Sequence, residues 1–245
     1  MTELALPADQ SPPPMGLVSR IFGVIFSPRA TYTAIAARPT VVGVLAVTLL
    51  ISAGMTLWLL SSEAGQRAMG AQIEESMRQA AAQGREITPQ ARAFTETLVK
   101  VVGIVAAVAQ VVIAPAILAL IAVILRGILN FAYGTKASFR QLFAIVAHSS
   151  VISALVTMFS VPLMYYKEDM VSPTRVATLL PMLPEKGFIT SFLGAIDLWL
   201  IWWLCNLAIG LAVVYKRRTG PLAGTLLGVY GTLALLIAAV RSAFN

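Results

Sequence analysis

Residues 101–125 read VVGIVAAVAQVVIAPAILALIAVIL, a run with no Lys, Arg, Asp or Glu. An α-helix rises ~1.5 Å per residue, so about 20 apolar residues cross the ~30 Å hydrocarbon core of a bilayer. This run is long enough to do so. Inside lipid no water reaches the backbone, and a lone segment can satisfy its own N–H and C=O groups only as a helix. Four more runs have the same character: Val41–Leu60, Leu142–Met164, Phe192–Val214 and Leu222–Val240. None carries Lys or Arg, and the single acid among them is Asp197. The reading is an all-α polytopic membrane protein, a bundle of five transmembrane helices.

Composition points the same way. Of 245 residues, 58% are hydrophobic and 12% charged, and the mean hydropathy is +0.82. Soluble domains carry about 25% charged residues, so this chain lacks the charge to clothe a water-facing globule. Cys205 is the only cysteine. That rules out an intramolecular disulfide and a cysteine-rich metal site. The net charge of +7 does not indicate nucleic acid. The basic residues sit at the ends of apolar runs, with no basic helix or aromatic-rich sheet to form a footprint.

Residues 1–14 hold three consecutive prolines and two acids, with no basic stretch ahead of an apolar core. They are expected to form a disordered tail and not a cleaved signal peptide, leaving 15–245 as one membrane domain. Leu17, Val18, Ile21, Phe22 and Ile25 share one helical face, too short to span and suited to lie in the interface, with Arg20 off the stripe. Ser27 is placed as an N-cap, with Pro28 at the first helical position and a helix ending before Pro39. Between the first two spans, Met69, Ile73 and Met77 repeat every four residues, and Glu74 and Arg78 are spaced as an i,i+4 pair. With Gly84 as C-cap and Thr88-Pro89 opening a second helix, this segment reads as an extracytoplasmic helical hairpin. The connection 165–191, with Pro173, Pro181, Pro184 and Gly187, reads as irregular. In span two, Gln110 and Pro115 suggest a kink.

With the N-terminus cytoplasmic, each side of the membrane holds nine basic residues, but the inner side has acids only at Glu3 and Asp9. The inner connections are short, acid-free and flush with helix ends, which favours N-terminus in and C-terminus out.

Asp197 is the first candidate for chemistry, because a carboxylate within a span is costly. A helix boundary one turn later would place it among headgroups, bonded to water or a neighbouring helix. Asn206 lies nine residues on, on the opposite helical face, and is read as an interhelical hydrogen-bonding residue. His148 is the only histidine and has too few carboxylates near it in sequence for a metal site. With Ser149, Ser153, Thr157 and Ser160 it marks a small polar stripe, read as a packing face. No Gly-x-Ser-x-Gly, His-Glu-x-x-His or phosphate-cradling loop occurs. Gly224 and Gly228, with Gly231 following, form a small-residue face suited to close helix packing, within the chain by default or against a second copy. No cofactor and no metal is expected, and the chain is not expected to be an enzyme.

Several short motifs resemble one family. Phe26-Ser27-Pro28-Arg29-Ala30-Thr31, with Ile35 and Pro39, looks like the opening segment of the Yip (Ypt/Rab-interacting protein) domain. Tyr133-Gly134 and then Ser138-Phe139-Arg140-Gln141 resemble that family's link between spans two and three. Ile196-Asp197-Leu198-Trp199 through Trp202, with Gly210-Leu211-Ala212, is similar to its fourth span. The resemblance covers residues 20–240. It implies a five-helix membrane domain with a cytoplasmic N-terminus and, in eukaryotic relatives, vesicle traffic beside small GTPases. The acidic Asp-Leu-Tyr-Gly-Pro type element of those relatives is absent, so no GTPase partner is expected here. The alanine-rich sequence is closer to a prokaryotic member in a bacterial inner membrane. The function expected is a membrane scaffold or adaptor for another membrane complex, such as a transporter, or a homo-oligomer. The alternative is a small transporter or channel subunit using Asp197.

Overall fold

The computed structural model describes residues 15–82, 84, 88–184 and 187–243; the expected N-terminal tail lies outside them. Among the described residues five helices are long and apolar enough to cross a membrane, and the protein is an integral membrane protein of all-α class. The chain opens with α1 (Leu17–Phe26) and α2 (Pro28–Ala37), and the first span is α3 (Val42–Ser61). Next come α4 (Glu63–Ala82), α5 (Pro89–Tyr133) and α6 (Phe139–Lys167). A 3-10 turn at Ala177–Leu179 precedes α7 (Phe188–Ala195), α8 (Leu198–Tyr215) and α9 (Thr219–Ala243).

Burial sorts the spans. In its most apolar window α6 is 61% buried, whereas α5 is 6% and α9 is 11% buried. The middle span is therefore the hub, and α5 and α9 form outer walls whose apolar side chains face lipid. The hub packs against α3, α5 and α8, while α9 leans on α7 and α8. Successive spans run antiparallel. The α2–α3 link and the α5–α6 and α8–α9 turns therefore gather at one end, and α4 and the 168–197 connection at the other.

Three local expectations are extended or corrected. First, α1 keeps Leu17, Val18 and Phe22 exposed, as an interfacial helix does. With α2 it also wedges against α6 and α8, with Val24, Tyr32 and Ile35 fully buried. Arg20 is buried too, donating from Nε to the Met15 carbonyl (3.1 Å) and from its guanidinium to Thr40 Oγ1; the core takes the Arg20–Val24 face together with Ile21 and Ile25 at the edge of the stripe. Second, Ser27 precedes Pro28 without a side-chain cap. Its carbonyl accepts from the Thr31 amide and hydroxyl instead. Third, the fourth span does not begin at Phe192. The helix breaks at Ile196-Asp197 and restarts at Leu198.

The hairpin expectation matches in outline. α4 packs against α5, and Gly84 takes φ +78° just past α4, the left-handed conformation that ends helices. Arg78, however, pairs with Glu75 (3.5 Å) and not with Glu74. The second hairpin helix and the second span are one continuous element. At ~1.5 Å per residue α5 is about 68 Å long, running through Pro115; Gln110 accepts from the Thr56 hydroxyl of α3 at 3.1 Å. The connection after α6 is less irregular than its prolines suggest, holding the 3-10 turn and the start of α7.

Candidate functional site

Three polar nodes hold the bundle, and most of the polar residues singled out in the sequence fall among them. The deepest lies where α1, α2, α6 and α8 meet. Asn206, 3% exposed, donates from Nδ2 to the Val24 carbonyl at 2.8 Å and accepts the Tyr32 hydroxyl on Oδ1. Burial pushes the Tyr32 phenol up from its ordinary range, with Ser149 acting the other way, so the hydroxyl stays protonated and can donate. On α6, His148 Nδ1 lies 2.8 Å from the Ala144 carbonyl. A carbonyl only accepts, so Nδ1 carries the proton.

The serine stripe divides. Ser149 and Ser150 are buried and return hydrogen bonds to carbonyls one turn back, at 2.9 and 2.7 Å. Ser150 also reaches Thr48 on α3 (3.4 Å). Ser160 is buried, but Ser153 is exposed, so the four residues form no single packing face.

The second node is the break in the fourth span. Asp197 is the N-cap of α8 and accepts from the Trp199 amide at 2.9 Å. Its carboxylate also receives the hydroxyls of Ser172 (3.2 Å) and Thr174 (2.9 Å) from the preceding connection. Two backbone bonds, Val176 N–H to Ile196 (3.0 Å) and Leu198 N–H to Thr174 (3.2 Å), pin that connection to the break. Tyr230 of α9 completes it: its hydroxyl donates to the Ala195 carbonyl (2.9 Å) and accepts from the Asp197 amide (2.8 Å). The carboxylate is thus spent on a cap and a clamp, at the end of α8 and not in its interior.

The third node lies at the opposite end. Asn130 receives the Tyr215 hydroxyl (2.9 Å) and the Ala137 amide (3.2 Å), and donates to the Ala137 carbonyl (3.1 Å). Tyr133 meets Tyr215 with centroids 5.8 Å apart, and the Arg217 guanidinium lies 4.8 Å from the Tyr133 centroid. Gly134 follows with φ +62° and ends α5. Ser138 and Gln141 form a reciprocal capping box at the start of α6. Arg140 Nε and Gln141 Nε2 reach the carbonyls of Pro39 (3.0 Å) and Ala36 (3.3 Å), tying α2 to the hub.

These are the segments in which the motifs of the Sequence analysis lie. A family model described as the Yip1 domain matches residues 22–240, nearly the whole chain. The chain belongs to the Yip1 domain family. No curated protein and no solved structure matches it. In this Yip1-domain chain Arg140 anchors the α2 end, Gly134 turns the chain out of α5, and Asp197 caps the broken helix. Ser27 and Pro28 start α2.

Gly224 and Gly228 are exposed, and a Cβ at either, or at Gly231, would touch nothing within 4 Å. The expected internal packing face is therefore corrected: no other helix lies against these glycines among the described residues. The close approaches fall at Gly23 against Thr31, Gly65 against the Leu59 carbonyl, Gly103 against Ser61, and Gly210 against Ile145 and Tyr32. Asn130, Tyr32, Thr174 and Tyr230 escaped the sequence reading. The Ser138-x-x-Gln141 spacing is a signal for a capping box, but nothing local marks the other four.

Proposed function

We propose that this chain is a non-enzymatic membrane scaffold or adaptor, acting as one domain over 15–245 on another membrane complex, in export or trafficking. The observation that supports it is the use made of the polar side chains. Asn206, Asp197, Tyr32 and Tyr230 are each hydrogen-bonded to another element of the same chain. What is left for work is surface: the lipid-facing walls of α5 and α9, and α4 with its exposed Glu63, Arg67, Glu75 and Arg78. Membership of a membrane-protein family associated with trafficking supports the same reading. A small GTPase is not among the partners proposed.

In this reading the membrane is a bacterial inner membrane, the N-terminus is cytoplasmic, and α4 stands on the far side with the C-terminus. The short, acid-free connections carrying Arg126, Lys136, Lys216, Arg217 and Arg218 support that orientation. Purification of the full chain in a mild detergent is expected to recover a stoichiometric membrane partner or a homo-oligomer. A monodisperse monomer without partner across several detergents would overturn the reading.

The helix break at Ile196-Asp197 favours one rival, a small transporter or channel subunit, because interrupted spans line ion and substrate paths in many transporters. Asp197→Asn separates the two. A transporter loses a proton- or ion-dependent flux at unchanged protein level, whereas in the adaptor the substitution acts on protein level alone.

A further inference from the structure

Charge is distributed unevenly over the two ends of the molecule. Among the described residues the ion pairs Arg67–Glu63, Arg67–Glu168 and Arg78–Glu75 all lie at the α4 end. At the other end Arg126, Lys136, Lys216, Arg217 and Arg218 are exposed, and none meets a carboxylate among the described residues. Among the described residues their charge is left uncompensated.

Two of these cations are held in place without being neutralised. Arg126 donates from Nε to the Ala137 carbonyl at 3.2 Å, which fixes the guanidinium and leaves its charge intact. Arg217 is stacked over Tyr133, and a ring face orients a guanidinium while leaving its edge N–H groups available. The Tyr215–Asn130 bond and the Tyr133–Tyr215 contact join the α5–α6 and α8–α9 turns into one surface. Lys216 adopts φ +51°, and the Arg217 amide returns to the Ala212 carbonyl at 2.9 Å, which reverses the chain and brings Arg217 over the ring.

The surroundings say what kind of anion fits. Arg126 is not beyond the helix but seven residues before its end, on a wall that faces lipid. Val123, one turn deeper on the same side, is 52% exposed, and Phe131, at the end of the helix, is 93% exposed. A ligand reaching Arg126 lies beside apolar surface as well as charge. That combination describes a lipid and not a soluble anion or an acidic peptide.

We propose that this surface is a binding site for an anionic phospholipid. Arg126 and Arg217 face the anionic headgroup, each guanidinium being suited to paired N–H contacts with phosphate oxygens, and an acyl chain lies along α5 past Val123.

The test uses the full-length chain in detergent. Native mass spectrometry is run after mixing with phosphatidylglycerol, cardiolipin or phosphatidylcholine at equal concentrations. With two cations at the membrane surface, each contributing about 1 kcal/mol, the anionic lipids are expected to be retained about thirtyfold better than phosphatidylcholine. Arg126→Gln with Arg217→Gln is expected to abolish that preference. Arg78→Gln with Lys167→Gln, which removes two charges from the other end, should leave it intact. Tyr133→Leu keeps every charge but releases Arg217, and is expected to lower retention; it serves as the decisive variant should the double substitution not fold, as judged by elution volume and helical circular dichroism. Glycerol phosphate supplies the soluble arm and is expected not to bind. Equal retention of all three lipids by the parent chain, or an undiminished preference in Arg126→Gln/Arg217→Gln and Tyr133→Leu, would overturn the proposal. So would glycerol phosphate binding as tightly as the lipids, which points to a soluble phosphate.

Discussion

A Cβ on Gly210 would overlap Ile145 of the hub and press on the Tyr32 ring at 3.2 Å, because α8 and α6 approach closely there with α2 wedged beside them. Gly224 has open space where its Cβ would be. The two positions should therefore respond oppositely to the same change. Gly210→Ala gains helix propensity of about 1 kcal/mol but forces the interface apart, and overpacking costs about 1–3 kcal/mol. It is expected to lower the unfolding temperature in detergent. Gly224→Ala should raise it or leave it unchanged, since only propensity acts. A fall in stability at Gly224→Ala matching that at Gly210→Ala would mean that the α9 face is packed against something, a second copy included. The sequence points to the wrong glycines for a physical reason. The Gly-x-x-x-Gly spacing shows that a close approach is possible on one face, whereas only the tertiary fold decides which glycine has a neighbour. Asn206 is easier to read, because a buried amide has few alternatives to a hydrogen bond with another helix; its partners, Tyr32 and the Val24 carbonyl, lie more than 170 residues away and leave no local trace.

At the scale of elements, apolar run length found every span, with α3 and α6 ending within about three residues of the expected limits, a normal boundary error. Hydropathy averages over a window, so it is blind to a two-residue interruption whose neighbours are all apolar. Ile196-Asp197 is such a place, and one acid in the run was the only sign of it. The insertion of α1 and α2 was equally invisible. Periodicity marks the apolar stripe of α1, whose Leu17, Val18 and Phe22 stay exposed, and gives no sign that Val24 and the charged Arg20 beside it enter the bundle. The break has an energetic consequence at the start of α8. Asp197 caps that helix and also receives Ser172 and Thr174. Asp197→Ala removes all of this, and losing an N-cap alone costs about 0.5–2 kcal/mol. Asp197→Asn keeps an acceptor oxygen for the Trp199 amide and should cost less. Thermal unfolding followed by tryptophan fluorescence is expected to rank parent, Asn, Ala in falling order, with Trp199 and Trp202 as reporters near the break. Equal stability of all three would show that the clamp contributes nothing.

Over the whole molecule, the two ends of the bundle are tied by different chemistry. At the end holding the α5–α6 and α8–α9 turns, neutral hydrogen bonds through Asn130 and carbonyl contacts of Arg126 and Arg140 join the elements. At the other end α4 is joined to the end of α6 by charge. Arg67 donates to both carboxylate oxygens of Glu168, at 3.1 and 2.7 Å, beside the stacked Trp58 and Tyr165 rings. The hydrogen bonds from Arg67, with its charge adding to them, hold the Glu168 carboxyl below its ordinary 4.5. A carboxyl depressed in the folded state stabilises the contact above its unfolded value, and that contribution is lost as pH falls through the folded one. The tether of α4 is therefore expected to be intact at neutral pH and to loosen only below pH 4.5, whereas the Asn130 node has no acid to protonate and should hold. Both groups are exposed, so salt should weaken the tether as well. Spin labels on α4 and on the 169–171 segment would read this directly: their distance distribution should broaden as pH drops below 4.5, and a label pair across the Asn130 node should not change. In Arg67→Gln the broadening should already be present at neutral pH and vary little with pH, because the carboxylate has lost its partner. A distribution that stays narrow in Arg67→Gln would show that α4 is held by its buried face, Ala64, Gly65 and Ala68, and that the charge pair adds nothing to its position.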